Sequence, residues 1–219
     1  MDWRLLDGVP PDALRRTLEI ARRRTFARDE VVFHEGDPAE TVHLIERGRA
    51  AVRTTTRHGQ RATLAILGPG DAFGELAILG SEPRRGATVV AIEPLETRSI
   101  YAADFHRLRR AHPQLSDVII GLLTAQVQRM NSELLDALYL PAELRVRKRL
   151  ADLAGQYEET GGETVIPVRQ EDIADLAGTS RATVNRVLRE EARRGTVRLS
   201  RGQTVVLDRA RLVELVGER

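Results

Sequence analysis

The sequence predicts an α+β chain: an antiparallel β sandwich or barrel, then a long helix, then a helix-turn-helix with a hairpin beside it. Three observations carry this reading. Residues 26–101 break into short β runs cut at regular intervals by Gly, Pro and Asp. After "AHPQ", apolar residues recur three or four apart over more than twenty positions. Further on, "QEDIADLAGTSRATVNRVLREE" has the spacing of two short helices crossing at a tight turn.

The elements follow in order. "VPPDALRRTL" reads as a short helix with proline in its first turn, where the missing N–H costs nothing. The strands are "EVVF", "TVHLI", "AAVRTTT", "ATLAIL", "ATVVAI" and "ETRSIY", with turns at "EGDP", "ERG", "RHGQ" and "GPGD". Between the fourth and fifth runs lies "FGELAILGSEPRRGATV", Phe73 to Val89, a glycine-opened turn with one glutamate and a proline-braced arginine pair. Its chemistry suits a small anion carrying a sugar. Gly74 lets backbone approach a ligand, successive N–H groups form an anion nest, Glu75 accepts from a ribose 2′-hydroxyl, and Arg84 or Arg85 neutralises a phosphate. The plain alternative is that Gly74 and Glu75 close a β-turn.

Ile119, Leu123, Val127, Met130, Leu134 and Leu138 draw one stripe down the long helix, and Leu115, Val118, Leu122 and Ala125 start a second. Two apolar faces suit a helix that packs on its own domain and on a second copy. A new helix starts after Pro141, which puts a boundary near Tyr139 to Ala142. In the helix-turn-helix, small Ala174 permits close crossing, Gly178 takes the left-handed turn, Val184 and Val187 face the core, and Ser180 caps the second helix. Arg181, Ala182, Asn185 and Arg186 fall on its exposed early turns, where an arginine presents two parallel donors to guanine. "TVRLSRGQTVVL" then reads as a hairpin turning at Arg201 and Gly202.

Composition excludes much else. There is no cysteine, hence no disulfide, thiolate catalysis or iron–sulfur cluster. No window of eighteen residues is uninterruptedly apolar, and "MDWRLLDG" lacks the pattern of a secretory signal, so a cytoplasmic protein without a membrane span is expected. The net charge is only +2, yet Ser180 to Gln203 holds seven arginines against two glutamates, a local excess suited to a phosphate backbone. The five histidines show no metal-binding spacing, and no Ser or Thr sits in a nucleophile turn. An enzyme is not expected.

"EGDPAE", "GPGDAFGELAILG", the long helix and "SRATVNRVL" occur here in the order found in the cyclic-AMP receptor protein and FNR (Crp/Fnr) family of bacterial transcription regulators, which the chain resembles over nearly its whole length. The resemblance implies a β-roll (cyclic-nucleotide-binding jelly roll) effector domain at 1–110, a central dimerisation helix at 111–139 and a winged helix-turn-helix at 140–219. It implies a homodimer on palindromic double-stranded DNA, contact with RNA polymerase, no required cofactor, and cyclic AMP or cyclic GMP as allosteric effector. The ligand-binding positions carried over are Phe73, Gly74, Glu75, Leu76, Ala77, Arg84, Arg85 and Gly86 with Met130 and Asn131 on the central helix. Arg85 aligns without a gap as the phosphate arginine. The DNA-facing positions are Gln170, Thr179, Ser180, Arg181, Ala182, Thr183, Asn185, Arg186 and Arg201, with Arg181 and Arg186 resembling base readers and Gln170, Ser180 and Thr183 phosphate contacts. Three residues depart from the family pattern: Gly86 replaces a hydroxyl residue, Met130 replaces a threonine, and Ala182 replaces a glutamate that accepts from cytosine. The alternatives are a regulator of the same family with another effector or none and, more distantly, a cyclic-nucleotide module acting through protein contacts.

Overall fold

The computed structural model describes residues 2–217 other than 58, 82, 158–161 and 201. Contacts divide the chain into two compact units, Met1–Gly59 with Leu64–Arg129 and Gln60–Thr63 with Met130–Arg219. A 3-10 turn at Arg4–Leu6 and helix α1 (Pro11–Ile20) precede β1 (Arg22–Phe26), β2 (Val31–Phe33), β3 (Thr41–Arg47), β4 (Ala50–Thr55), β5 (Arg61–Leu67) and β6 (Ala72–Phe73). A short helix α2 (Glu75–Leu79), β7 (Thr88–Ala91), β8 (Leu95–Tyr101), α3 (Ala102–Ala111) and α4 (Gln114–Tyr139) follow. Two four-stranded antiparallel sheets form, in the orders β1-β8-β3-β6 and β2-β7-β4-β5.

Strand β3 shows how the sequence sets the layers. Side chains alternate along a strand, so Val42 and Leu44 join the cluster of Trp3, Ile100, Phe105, Leu115 and Ile119 under the helices. Ile45, two residues after His43, turns instead to the cluster of Phe26, Phe73, Val89 and Leu95. Trp3 ties the N-terminus down by donating Nε1–H to the Ile45 carbonyl at 3.0 Å. Strand β1 was not anticipated, because "RRRTF" offers a single apolar residue. It forms at a sheet edge, paired along β8 from Arg22↔Ser99 to Phe26↔Leu95. Arg23 is neutralised there by Glu96 at 2.6 Å. The turn read at Gly74 is the start of a helix, α2.

Of the two apolar stripes expected on the long helix, the first divides and the second begins in the core. Leu115 and Ile119 are buried, whereas Val127, Met130, Leu134 and Leu138 are 56%, 57%, 58% and 63% exposed in the single chain.

The second unit contains α5 (Ala142–Tyr157), β9 (Thr164–Ile166), α6 (Gln170–Ala177), α7 (Arg181–Arg194), β10 (Val197–Ser200), β11 (Gln203–Val206) and α8 (Arg209–Gly217). Strand β9 extends the expected hairpin to a sheet of order β10-β11-β9. The core here includes Val146, Leu150, Ile173, Val184, Val187, Leu188 and Leu212. It also holds Glu191, which is fully buried. Its carboxylate accepts from Arg147 Nε at 2.8 Å, Thr196 Oγ1 at 2.7 Å and Arg194 Nη1 at 2.9 Å. Burial alone would push its pKa up; the Thr196 and Arg147 hydrogen bonds and the Arg147 and Arg194 charges hold it below the usual carboxylate value. Satisfied in this way the charge is tolerated, whereas removing one partner of such a pair commonly costs about 3–5 kcal/mol. Among the described residues no helix is long and apolar enough to cross a membrane.

Candidate functional site

In the first unit, Phe73 ends β6 and is buried, and Gly74 follows at φ 89° and ψ −4° as the cap of α2. A side chain here is excluded twice over. The φ is left-handed, and a Cβ would lie 2.5 Å from Arg85 Nη1 and 2.9 Å from the Thr41 carbonyl oxygen. Glu75, Leu76 and Ala77 form the first turn of α2, whose amides lack intrahelical partners. Burial pushes the Glu75 pKa up, opposed by its own amide and the Arg85 charge. Its Oε2 is buried with no hydrogen-bond partner among the described residues.

Arg85, rather than Arg84, lies against this turn. It is 4% exposed and donates Nη1–H to the Gly74 carbonyl at 3.0 Å. Its Nη2 reaches the Thr41 carbonyl at 2.8 Å and Thr41 Oγ1 at 3.1 Å. The guanidinium stacks 4.0 Å above the Phe33 ring. Its Nε remains buried without a hydrogen-bond partner among the described residues. Burial lowers its pKa, against the raising effect of Asp37, Glu75 and Glu40. Arg84 is exposed and donates to the Gly36 carbonyl at 3.0 Å. Gly86 is exposed with open space where a Cβ would stand.

Sequence reasoning missed the support behind Arg85. His43 bonds Thr41 Oγ1 through Nε2 and Thr97 Oγ1 through Nδ1, each at 3.1 Å. Thr41 Oγ1 thus stands between Arg85 Nη2 and His43 Nε2. His43 stacks on Phe73 with centroids 4.9 Å apart and planes at 3°. Burial, then the Arg85 and Arg24 charges, lower its pKa to about 3. A histidine at an inward position of an apolar β run was the available signal. A cavity of about 380 Å³ lies here, lined by Arg24, Phe33, Thr41, His43, Arg85 and Tyr101 among others. Of the positions singled out between Phe73 and Gly86, Arg85 alone reaches it.

In the second unit, α6 ends at Gly178 in the left-handed conformation, φ 57° and ψ 46°, with the Thr179 amide closing on the Ala174 carbonyl at 3.0 Å. Ser180 then caps α7, its Oγ accepting from the Thr183 amide at 3.1 Å. Arg145 on α5 secures this corner, donating to the carbonyls of Leu140 at 2.7 Å, Ala177 at 2.9 Å and Gly178 at 3.1 Å. The outward face of α7 carries Arg181, Ala182, Asn185, Arg186, Arg189 and Arg193, which line an open concavity of about 680 Å³. Gln170 starts α6 and its Oε1 accepts from Asn185 Nδ2 at 3.1 Å. The structure therefore gathers Gln170, Thr179, Ser180, Arg181, Ala182, Thr183, Asn185 and Arg186 along one helix-turn-helix. Arg201 lies outside the described residues. Met130 and Asn131 are exposed on α4, in the second unit.

A cyclic nucleotide-binding domain family matches residues 23–112, and a Crp-like helix-turn-helix domain family matches 144–215. The chain is 33% identical over 211 residues to a cyclic AMP receptor protein of Thermus thermophilus, covering 96% of this chain and 95% of that protein. It is 32% identical over 214 residues to a CRP-like cAMP-activated global transcriptional regulator of Mycobacterium tuberculosis, covering 95% and 94%. In fold it is similar to FixK2 from Bradyrhizobium japonicum, with a TM-score of 0.80 at 24% identity over 90% of this chain and 97% of that one. With the basic face of α7, these similarities define a DNA-binding transcription regulator that carries a cyclic-nucleotide-binding domain, and not an enzyme. The chain belongs to the Crp/Fnr family.

The buried His43 makes stability depend on pH. Its folded pKa of about 3 lies below the unfolded 6.5, so from 6.5 down to 3 the unfolded chain holds the extra proton and stability falls as pH is lowered. The slope is about 1.4 kcal/mol per pH unit. Urea unfolding at pH 7 and pH 5 should show the parent losing about 2 kcal/mol more than His43→Gln; equal losses would show that His43 is not held neutral.

Proposed function

We propose that this regulator binds a cyclic nucleotide, cyclic AMP foremost, at Phe73–Gly86, and that occupancy controls operator binding. One observation carries the reading: among the described residues Glu75 Oε2, on the residue after Gly74, and Nε of Arg85, which donates to the Gly74 carbonyl through Nη1, are buried polar atoms without a hydrogen-bond partner. Natural folds rarely leave such groups unmatched. A cyclic nucleotide supplies both complements, with its ribose 2′-hydroxyl donating to Glu75 and its phosphate accepting from Arg85 and the first amides of α2. The cAMP-activated Mycobacterium relative supports this choice.

The dimer in this reading forms through α4, where Val127, Met130, Leu134 and Leu138 present an apolar stripe at helical spacing. A second copy covers it. Sedimentation should then give twice the chain mass, and the chain mass alone for Leu134→Arg. As α4 runs from the first unit into the second, it is the natural carrier of the signal to the hinge at Tyr139–Pro141. Two α7 helices in successive major grooves about 34 Å apart require a palindromic site. There Arg181 and Arg186 read guanines, and Gln170, Ser180 and Thr183 hold phosphates. Operation in the cytoplasm with RNA polymerase completes the proposal.

A second reading, a regulator with another effector or none, is favoured by Gly86 and Met130, which lack the hydroxyls usual in the family. The hydrogen bond to the charged phosphate lost at Gly86 costs about 1.5–3 kcal/mol, or about ten- to a hundredfold in Kd. Isothermal titration with cyclic AMP and cyclic GMP decides. Low-micromolar binding of cyclic AMP is expected, abolished in Arg85→Ala. It should tighten about tenfold in Gly86→Ser, since a Cβ at Gly86 meets nothing within 4 Å. No heat with either nucleotide would establish the second reading.

A further inference from the structure

Four arginines share the outward face of α7, and their surroundings differ. Arg181, Arg189 and Arg193 carry no hydrogen bond or ion pair among the described residues. Arg186 does: its Nη2 donates to Glu143 Oε1, from the first turn of α5, at 2.5 Å. The pair is at the surface, with Arg186 63% and Glu143 35% exposed as side chains. Glu143 is itself anchored. A hydrogen bond from its own amide, then the one from Arg186, hold its carboxyl below the usual range, so it is ionised throughout the neutral region. The Nε and Nη1 of Arg186 make no other bond among the described residues. Next to it, Asn185 is held from behind by Gln170 at 3.1 Å.

An arginine on a DNA-facing helix has two competing partners. It can present two parallel donors to guanine, or swing onto a phosphate, which carries no sequence information. A carboxylate bound to one N–H acts on this choice. It holds the guanidinium in one orientation and leaves donors free for a base edge. Rotation of Arg186 to the backbone would break the pair and leave the Glu143 charge unmatched beside a polyanion. We propose that Glu143 is a specificity-determining positioning residue, which holds the Arg186 guanidinium for base reading and keeps it from non-specific phosphate contact. The proposal rests on the reading that Arg186 contacts a base.

The test uses the full-length protein and a palindromic site that it selects from a random duplex pool, with and without cyclic AMP. Affinity for that site, for each single-base variant and for unrelated duplex is measured across a salt series. In Glu143→Gln, binding to unrelated duplex should strengthen and its log–log salt slope should steepen by about one, as Arg186 gains a phosphate. Discrimination at the base pair read by Arg186 should fall about tenfold. In the Arg186→Ala background, Glu143→Gln should leave discrimination unchanged, an outcome that a merely structural role does not produce. If Glu143→Gln strengthens all duplexes by one common factor, Glu143 is only a repelling charge and the proposal is wrong. If Arg186→Ala leaves discrimination intact at every position, the base-reading assignment falls and takes the proposal with it. If Arg186→Ala abolishes discrimination at one base pair and Glu143→Gln does not alter it, the assignment stands and the proposal alone fails. Unchanged thermal unfolding of Glu143→Gln guards against misfolding.

Discussion

The approach of Arg85 to the backbone at Gly74 organises the effector unit. The guanidinium donates to the carbonyls of Gly74 and Thr41 while lying on the Phe33 ring. A cation so buried is costly unless its N–H groups are matched, and here two strand-end carbonyls and a hydroxyl match most of them. The contact fixes three other choices. Residue 74 must be glycine, because any Cβ would collide with Arg85 and Thr41. Residue 41 must offer a hydroxyl that faces Arg85 on one side and His43 on the other. Residue 43 must stay neutral beside a fixed positive charge, which burial and that charge together ensure. The chain Arg85, Thr41, His43, Thr97 thus joins β7's approach, β3 and β8 by hydrogen bonds, and Glu75 Oε2 and Arg85 Nε stay buried without a hydrogen-bond partner among the described residues.

The second unit solves a different problem, presenting arginines to a polyanion without losing the fold to their repulsion. Its interior carries one full ionic set, Arg147 and Arg194 on Glu191 with the Thr196 hydroxyl, so that α7 is locked to α5 and to the turn before β10. Arg145 spends its donors on the carbonyls at the turn after α6 and at Leu140. These arginines are structural, whereas those along the outer face of α7 remain at the surface. The same residue type is divided between two roles by which helix face it occupies. Leu140, just past the end of α4, accepts from Arg145 through its carbonyl, which ties this end of the long helix to the corner that orients α7.

Much of this was legible from local pattern. Gly178, Ser180 and Ala174 announce the helix-turn-helix because each answers a steric or hydrogen-bonding demand within a few residues of itself. The β runs of "TVHLI" and "ETRSIY" were readable for the same reason. Strand β1 was not, since three arginines suppress every apolar signal and the strand exists only by pairing with β8. Two stripes were readable on α4, but not where each would be covered: Leu115 of the second and Ile119 of the first enter a core, while Val127, Met130, Leu134 and Leu138 of the first do not. The roles of Thr41, His43, Glu143 and Arg145 depend on partners 32 to 54 residues away. No local spacing encodes such pairs.

The claim that joins the two units is that nucleotide occupancy at Glu75 and Arg85 changes how well α7 engages an operator, which requires the ligand to favour the DNA-competent state by its own differential affinity. Equilibrium anisotropy of a labelled selected operator, titrated with full-length protein with and without saturating cyclic AMP, measures that coupling directly. Tighter binding with cyclic AMP by about tenfold or more is expected, from a coupling in the usual range of about 1–3 kcal/mol. Equal affinity in both titrations, with the nucleotide bound, would contradict it.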